Sequence, residues 1–277
     1  MNMEEQKSKA RAFRAMHRSG KILVLPNAWD VASARVFEEE GFAAIATTSG
    51  GVAFSLGYRD GQKISREEML ERAGRMARAL KVPVSADVEA GYGFGPEDAA
   101  RTATGVIAAG VVGMNLEDAT GDPAHPLVDL PLQLERIRAV KAAALKTGVM
   151  LVLNARTDVF LAKVGEPATR YEQSAKRLLA YRDAGADCVF LPGVRDQETI
   201  GRIVRDVQCP VNILVGPGSP TIAELHNLGV ARVSIGSSAM RATLGLVRRI
   251  AEELKAAGTY SSLEGGIPYE DVNRMLG

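Results

Sequence analysis

Short apolar runs alternate along the chain with longer segments in which apolar residues recur at the helical period. Eight runs are apolar almost throughout and rich in β-branched residues, as in strands buried on both faces of a parallel sheet. The runs span residues 21–28, 43–49, 82–89, 111–118, 149–157, 186–193, 209–217 and 231–238. The pattern therefore predicts eight parallel strands separated by helices.

Helix-boundary signals lie in the segments between these runs. Asp30 is placed to cap one helix, Ser65 and Glu68 form a capping-box pattern before the next, and Pro96 occupies a first-turn position. Glycine follows several segments, which is typical of a helix C-terminus before the next strand. These signals predict eight helices, each following a strand.

Eight β/α units within about residues 21–258 predict an α/β fold, a (β/α)8 barrel of the TIM type, with residues 1–277 forming a single domain. A doubly wound open sheet is the alternative. That fold usually has fewer strands and often a glycine-rich nucleotide loop after the first one, whereas the first run here ends in PNAWD. Residues 259–277 are interpreted as a C-terminal extension, a loop with one short helix.

Composition narrows the possible partners. The chain has 277 residues, 34 Lys+Arg against 33 Asp+Glu, 46% hydrophobic and 24% charged residues, which is ordinary for a globular protein. A net charge of +1 gives no ground for expecting nucleic acid or an anionic membrane as partner. The charged N-terminus lacks the apolar core of a secretion signal, and the uncharged stretch 41–58 is broken by TTSGG. We expect a cytoplasmic protein.

Cysteine and histidine give little sign of a zinc site or a disulfide framework. The two cysteines, Cys188 and Cys209, form no CxxC motif and are interpreted as reduced core residues. The three histidines, His17, His125 and His226, are scattered and lack metal-ligand spacing.

Polar residues concentrate where the predicted strands end, which is where barrels place their active sites. Acids gather after the second, third and fourth runs, and crowded carboxylates repel one another and raise each other's pKa. A divalent cation would relieve that repulsion, and oxygen ligands without histidine favour Mg²⁺, with Mn²⁺ as the other possibility. The polar residues are Asn27, Asp30, Ser49, Gly50, Gly51, Asp60, Asp87, Glu89, Glu117, Asp118, Asn154, Arg156, Asp158 and Asn212.

Each of these residues also has a plainer interpretation. An acid at a strand end can simply cap the next helix, which fits Asp30, Asp118 and Asp158. It fits Asp87 poorly, because the next helix starts only near Pro96.

The geometry of a strand adds to this expectation. Asp87 and Glu89 are two residues apart, so strand alternation predicts that they share one face. Arg156 is either an ion-pair partner or a bidentate clamp for a substrate carboxylate. The Ser49–Gly51 segment is either an anion-binding turn or merely a tight one.

Several motifs, taken together, resemble the isocitrate lyase/phosphoenolpyruvate mutase superfamily from about Leu25 to Arg241. They are PNAWDVASARVFEEEGF, TTSGG followed by SLGYRD, PVSADVEAGYG, NLED, NARTD and GADCVF. The resemblance implies a barrel that acts on 2-oxo acids and their enolates with Mg²⁺. It also implies a homo-oligomer, a dimer or tetramer in which the C-terminal helix is exchanged between neighbours.

Carried over residue by residue, the resemblance implies substrate contacts at Ser49, Gly50, Gly51 and Arg156, to which we add Asn212. It implies a metal site formed by Asp60, Asp87, Glu89 and Glu117, with Arg156, Ser49 and Glu117 taking part in catalysis. Glu89 stands where most members have a second aspartate, in the pattern D-x-D-x-G-Y-G.

Two departures affect the expected chemistry. After the glutamate of the fourth strand the lyases have K-(K/R)-C-G-H and the mutases K-x-N-S, whereas this chain reads EDATGDPAHP over 117–126. Where relatives have a glutamate or histidine after the sixth strand, this chain has Pro192. The enolate-stabilising half of the site is retained and the usual acid/base half is missing, which argues against phosphonate mutase and (methyl)isocitrate lyase activity.

The main hypothesis is a Mg²⁺-dependent lyase, most simply a decarboxylase, of a small 2-oxo carboxylate resembling oxaloacetate. Departure of CO2 needs no general base, so the missing acid/base residues matter least for that reaction. The alternative is a protein that binds a 2-oxo acid without turning it over. A Schiff-base aldolase is disfavoured, because no predicted strand ends in lysine. Candidate proton donors are His125, Tyr58 and Tyr92.

Overall fold

The computed structural model describes residues 2–277 and contains nine short parallel strands in one sheet. Every strand lies inside one of the eight apolar runs, so the predicted strand positions are confirmed, and the first run carries two strands. The strands are β1 (Leu23–Leu25), β2 (Asn27–Ala28), β3 (Ile45–Thr47), β4 (Val84–Ala86), β5 (Gly113–Glu117), β6 (Val152–Arg156), β7 (Cys188–Leu191), β8 (Val211–Leu214) and β9 (Arg232–Ser234).

The sheet closes on itself through the first run. Its order is β1-β9-β8-β7-β6-β5-β4-β3-β2, so its two edges are the two halves of that run. Pro26 separates the halves, because proline has no N–H with which to continue the ladder. The result is a TIM-type (β/α)8 barrel, which confirms the predicted fold class and shows that the doubly wound alternative was wrong.

The side chain of Asn27 links the strands on both sides of this seam. Its Oδ1 accepts hydrogen bonds from the N–H groups of Ile235 and Gly236 at 2.8 and 2.9 Å, just beyond β9. Its Nδ2 donates to the Thr47 carbonyl in β3 at 2.8 Å. Asn27 is buried, so this polar residue closes the barrel rather than facing a ligand at its mouth.

The eight predicted helices are all present, together with the predicted terminal helix. Asp30 caps the helix Val31–Glu39 by accepting from the Ser33 N–H at 2.7 Å, Ser65 caps the helix Arg66–Ala79, and Pro96 is the first residue of the helix that ends at Ala108. The helices Met3–Met16 and Ser49–Ser55 were not predicted. The helices are α1 (Met3–Met16), α2 (Val31–Glu39), α3 (Ser49–Ser55), α4 (Arg66–Ala79), α5 (Pro96–Ala108), α6 (Leu130–Thr147), α7 (Arg170–Asp183), α8 (Gln197–Val207), α9 (Ile222–Asn227), α10 (Ser238–Ala256) and α11 (Tyr269–Leu276).

Helix α1 packs at the end of the barrel where the strands begin. Gln6 donates from its Nε2 to the Ile107 carbonyl at 2.7 Å, at the C-terminal end of α5. Phe13 is fully buried. Gly113, the first residue of β5, leaves room for that ring, since an added Cβ would lie 2.6 Å from it. Helix α1 therefore covers the end of the barrel where the strands begin and leaves the carboxyl ends of the strands, at the opposite end, uncovered.

The C-terminal extension returns to the barrel of its own chain. Helix α11 packs against α2, and Met275 is buried in that contact region. Across residues 2–277, no helix is both long enough and apolar enough to cross a lipid bilayer.

A buried histidine makes a pH-dependent contribution to stability. His17 donates Nδ1–H to the Phe13 carbonyl at 2.8 Å, and burial, helped by the Arg232 charge, lowers its pKa from 6.5 to about 4. The unfolded chain therefore takes up a proton near pH 6.5 that the folded chain resists. The resulting stability is complete above that pH and is lost as the pH falls toward 4.

We expect this group to remove about 2 kcal/mol of the free energy of unfolding between pH 7.5 and pH 5. Urea unfolding of the wild type and of His17→Gln at both pH values measures it, because the glutamine does not titrate and all other groups cancel in the difference. An equal pH dependence in the two proteins would contradict the expectation.

Candidate active site

Asp87 lies directly after β4 and is held by residues of the two neighbouring strands, β3 and β5, and by the first residue of α3. Its Oδ2 accepts from both the N–H and the hydroxyl of Ser49, at 3.0 and 2.9 Å. Its Oδ1 accepts from Asn115 Nδ2 at 3.4 Å, and its own N–H donates to Thr47 Oγ1 at 2.8 Å. This carboxylate is 8% exposed, so its orientation is fixed by the protein before any ligand binds.

The sequence analysis named Asn154 but missed Asn115, the residue that contacts Asp87 from the barrel interior. Asn115 and Asn154 face each other across β5 and β6, and Asn154 Nδ2 donates to Asn115 Oδ1 at 2.8 Å. The signal was present, because Asn115 is two residues before Glu117 on one strand and so shares its face. The amides form a short polar chain that ends on Asp87.

Asp60 and Glu89 lie near Asp87, but Glu89 does so for a reason other than the predicted one. Strand β4 ends at Ala86, and Glu89 has a left-handed backbone, φ 52°, so strand alternation does not place it. Its Oε2 accepts from the Gln62 N–H at 2.6 Å. Burial raises the pKa of Glu89 to about 8, and the carboxylates of Asp87 and Asp60 add to the rise.

The loop after α3 brings Asp60 back to Gly50. A Cβ on Gly50 would lie 3.0 Å from Asp60 Oδ2, so glycine permits this approach. Burial of the carboxyl and the nearby Asp87 both raise the pKa of Asp60. The expected crowding of acids at the barrel mouth is therefore present.

Arg156 lies at the end of β6 between two acids. Its Nη1 contacts Glu117 Oε2 at 2.7 Å across the β5–β6 ladder. Its Nε and Nη2 contact Asp158 Oδ1 and Oδ2 at 2.5 and 2.8 Å, a bidentate pair. Burial raises the pKa of Glu117 while the Arg156 charge opposes that rise. Burial alone would lower the pKa of Arg156, but the two acids outweigh it and keep the guanidinium protonated.

The ion pairs with Glu117 and Asp158 do not engage every N–H group of the Arg156 guanidinium. Of its five N–H groups, three are directed at Glu117 and Asp158, which leaves one on each terminal nitrogen. The group also lies 5.6 Å from the centre of the Phe190 ring. The structure shows the ion-pair role of Arg156, while its role as a clamp for a substrate carboxylate stays a prediction.

The Ser49–Gly51 segment is the first turn of α3, not an open turn. Thr48 caps the helix by accepting from the Gly51 N–H at 3.3 Å, and the Ser49 N–H is directed at Asp87. Within residues 2–277, the Gly50 N–H has no acceptor. Gly51 is required by packing, since a Cβ there would lie 2.5 Å from the Thr48 methyl group. The sequence predicted several consecutive free N–H groups over Ser49–Gly51, and only the Gly50 N–H has no acceptor.

Several predicted polar residues serve the fold. Asp118 is fully buried and accepts from Tyr181 and Thr157, while Asp158 pairs with Arg156, so neither caps a helix as expected. Asn212 is also fully buried and donates to Ser234 Oγ at 3.2 Å, so its role as a substrate contact stays a prediction.

The candidate proton donors lie in different settings. The His125 side chain is 84% exposed and contacts only Asp122, so the structure gives it no place among the clustered acids. Tyr58 is also largely exposed. The Tyr92 hydroxyl is buried without a hydrogen-bond partner, and burial, followed by the charges of Glu89 and Asp87, raises its pKa.

Asp60, Asp87, Glu89 and Glu117 are the four predicted metal ligands. Across residues 2–277, no three Asp, Glu, His or Cys side chains are arranged to hold one ion directly. The predicted ligand set is not preformed, because Glu117 is turned to Arg156 and Glu89 to the Gln62 N–H. The donors still fit Mg²⁺ in charge and in kind, since they are crowded carboxylates, and Mg²⁺ commonly keeps several waters between itself and its protein ligands.

Comparison with known proteins decides the family. The model of the phosphoenolpyruvate phosphomutase family matches residues 13–255. The chain belongs to the isocitrate lyase/phosphoenolpyruvate mutase superfamily. It is 37% identical over 265 residues to an uncharacterized protein of Mycobacterium tuberculosis, covering 96% of both chains. It is 32% identical over 274 residues to the oxaloacetate decarboxylase of Chromohalobacter salexigens, covering 91% of both.

A solved structure in the superfamily has nearly the same fold. A crystal structure from Burkholderia cenocepacia J2315 superposes with a TM-score of 0.92 at 38% identity, covering 98% of this chain and 96% of that one. Membership confirms the resemblance of the motifs. It does not supply the residues absent from this member, whose segment 118–126 has no lysine, cysteine or asparagine.

Proposed function

We propose that the chain is a Mg²⁺-dependent lyase that decarboxylates a small 2-oxo dicarboxylic acid of the oxaloacetate type through an enolate. The observation that carries the proposal is the pairing of Arg156, with two free N–H groups, and a crowded set of acids at neighbouring strand ends. The similarity to an oxaloacetate decarboxylase supports the same reaction.

Four acids would hold the metal. Asp87 is the proposed direct ligand because its orientation is already fixed, and Asp60, Glu89 and Glu117 would act alongside it, in part through water. A bound Mg²⁺, or Mn²⁺, would supply Lewis-acid polarisation of the 2-oxo group. The cation would also relieve the mutual repulsion that now raises the pKa of Glu89.

The remaining donors define how the substrate is held. The two free N–H groups of Arg156 suit one carboxylate of the substrate, bound beside the Glu117 and Asp158 pairs. The Gly50 N–H is proposed to donate to the oxygen on which negative charge develops. The Ser49 hydroxyl directs its proton at Asp87 and so helps to fix that ligand.

Decarboxylation does not require a general base from the protein. The bond to the departing carboxylate breaks, CO2 leaves, and the electron pair remains on the pyruvate-type enolate, which takes a proton to give the 2-oxo acid. No base has to remove a proton from carbon, so the absence of the usual acid/base residues from 118–126 and from Pro192 is compatible with turnover. The same absence argues against the cleavage of (methyl)isocitrate and against phosphonate rearrangement.

The test is product analysis with a panel of 2-oxo diacids. We expect pyruvate and CO2 from oxaloacetate, with a rate that depends on Mg²⁺ and exceeds an enzyme-free blank containing the same Mg²⁺. Oxalate and acetate as products would instead indicate hydrolytic cleavage. No metal-dependent turnover of any member of the panel would contradict the proposal.

The missing acid/base residues favour one alternative, a protein that binds a 2-oxo acid without converting it. Calorimetry distinguishes the two, because this alternative expects Mg²⁺-dependent binding of oxaloacetate or 2-oxoglutarate with no product. Product formation at a rate above the blank removes the alternative.

We also propose that the chain forms a dimer or tetramer in which the C-terminal helix is exchanged between neighbours. Helix α10 exposes several large apolar side chains, among them Leu244 (47%), Val247 (58%) and Leu254 (47%). Contiguous apolar surface of this kind is typical of a protein interface. In the single chain described here, α11 packs on α2 of the same barrel, so the exchange stays a prediction.

Light scattering is expected to give a mass of two or four chains of 29.5 kDa. Val247→Glu places a charge in the exposed apolar face and is expected to lower that mass to one chain. Leu145→Glu is the matched control, because Leu145 is 83% exposed on α6 and lies outside that face. A wild-type mass of one chain would overturn the proposal.

A further inference from the structure

The loop that follows β4 has a strained backbone. We call residues 89–93 the glycine loop. Glu89 and Tyr92 have φ values of 52° and 59°, a left-handed conformation that residues with a Cβ rarely adopt. Such conformations persist only where the surrounding structure imposes them, and they cluster at functional sites. Some contact must therefore hold this loop.

Side chains from other elements bind the carbonyls of the glycine loop one after another. Arg136 donates Nη2–H to the Ala90 carbonyl, and more weakly to that of Gly93 at 3.4 Å. Thr102 donates to the Gly91 carbonyl at 2.7 Å, and Arg66 to the Tyr92 carbonyl at 2.6 Å. These three side chains thus donate to the four consecutive peptide carbonyls of residues 90–93.

Arg136 differs from Arg66, which lies 3.5 Å from Asp98, in that it pairs with no acid. It lies on α6, is fully buried, and forms no ion pair within residues 2–277. Its Nη1 donates to Gln133 Oε1 and is 3.5 Å from the Glu117 carbonyl at the end of β5. Burying a guanidinium against neutral carbonyls is costly, so its presence calls for a reason other than stability.

The contacts of Arg136 indicate that reason. One terminal nitrogen reaches the loop that begins with Glu89, and the other reaches the strand end that carries Glu117. A guanidinium is planar and rigid, so it fixes the separation of the groups it binds better than a lysine ammonium does. Arg136 thereby fixes the distance between the backbone at Glu117 and the backbone of the glycine loop that begins with Glu89.

We propose that Arg136 is a positioning residue, which holds the glycine loop against the end of β5 and so fixes the separation of the backbone segments that carry Glu89 and Glu117. This rests on the proposed function only in assigning those two acids to Mg²⁺. Arg136 itself is fully buried behind the loop.

The test compares Arg136→Met and Arg136→Lys with the wild type by two readouts. Amide hydrogen exchange of residues 89–93 is expected to rise by about tenfold in Arg136→Met without a matching rise in the barrel strands. Calorimetry is expected to show Mg²⁺ affinity reduced by about 10- to 100-fold, as for other residues that orient metal ligands. Arg136→Lys is expected to recover part of both, because it can still reach one carbonyl.

Arg14→Met is the matched control, since Arg14 pairs at 3.0 Å with the buried Asp187 far from the glycine loop. Equal loop exchange in Arg136→Met and Arg14→Met would overturn the proposal, and Arg136→Lys decides the matter if the methionine variant does not fold. If the wild type binds no Mg²⁺ at all, the proposed function fails while the exchange data still decide the role of Arg136.

Discussion

Asp87→Asn is expected to leave a folded barrel whose Mg²⁺-dependent turnover has fallen by about a thousandfold or more, roughly 4 kcal/mol in activation free energy. The asparagine is nearly isosteric and its oxygen can still accept from Ser49, so packing is preserved. What is removed is the negative charge that Ser49 and Asn115 hold in place. Steady-state kinetics over a Mg²⁺ series, with oxaloacetate as substrate, measures the loss.

Asp30→Asn is the control for that experiment. Asp30 is also an acid at a strand end, but it caps α2, and asparagine caps helices about as well. We expect this variant to turn over like the wild type. If Asp87→Asn retained wild-type turnover while still requiring Mg²⁺, the metal would have to bind elsewhere and the proposed site would be wrong.

Arg156→Lys is expected to lower kcat/KM by about 10²- to 10³-fold, or about 3–4 kcal/mol. Lysine keeps the charge, but it has one compact ammonium in place of a planar fork. It cannot satisfy Glu117 and both oxygens of Asp158 while still offering two donors to a carboxylate. The loss is expected in both kcat and KM, because substrate holding and charge stabilisation share the same group.

Arg35→Lys is the matched control for this substitution. Arg35 forms a partly buried ion pair with Glu38 at 2.9 Å on α2, outside the candidate site. We expect little change in its kinetics. Kinetic constants of Arg156→Lys within twofold of the wild type would show that the guanidinium acts only as an ion-pair partner. Circular dichroism melts of both variants separate a loss of folding from a loss of chemistry.

The arrangement of the site explains why an incomplete set of family residues can still be useful. The residues that we propose to stabilise an enolate lie at the ends of β4, β5 and β6, which carry Asp87, Glu117 and Arg156. The residues that differ from the lyases and mutases lie in the connections, at 118–126 and at Pro192. Loops vary among barrels while the strand ends persist.

The sequence by itself determined the barrel. Buried parallel strands need near-continuous apolar runs, and the helices between them need caps at their ends. Strands and helices can therefore both be predicted from short stretches of sequence. It also determined which end of the strands carries the acids. The oligomeric state, the cellular location and the assignment of the chain to a single domain stay predictions.

Only the tertiary structure decided how those acids are arranged. Glu89 reaches the cluster through a left-handed loop held by Arg136, and Asp60 through a close approach to Gly50, neither of which follows from strand alternation. Asn27 was one of the polar residues at a predicted strand end and Asp118 was interpreted as a helix cap. Both serve the fold in another way, because their partners come from strands and helices distant in sequence. Local patterns specify elements, whereas the direction of a polar side chain depends on partners that only folding brings within hydrogen-bonding distance.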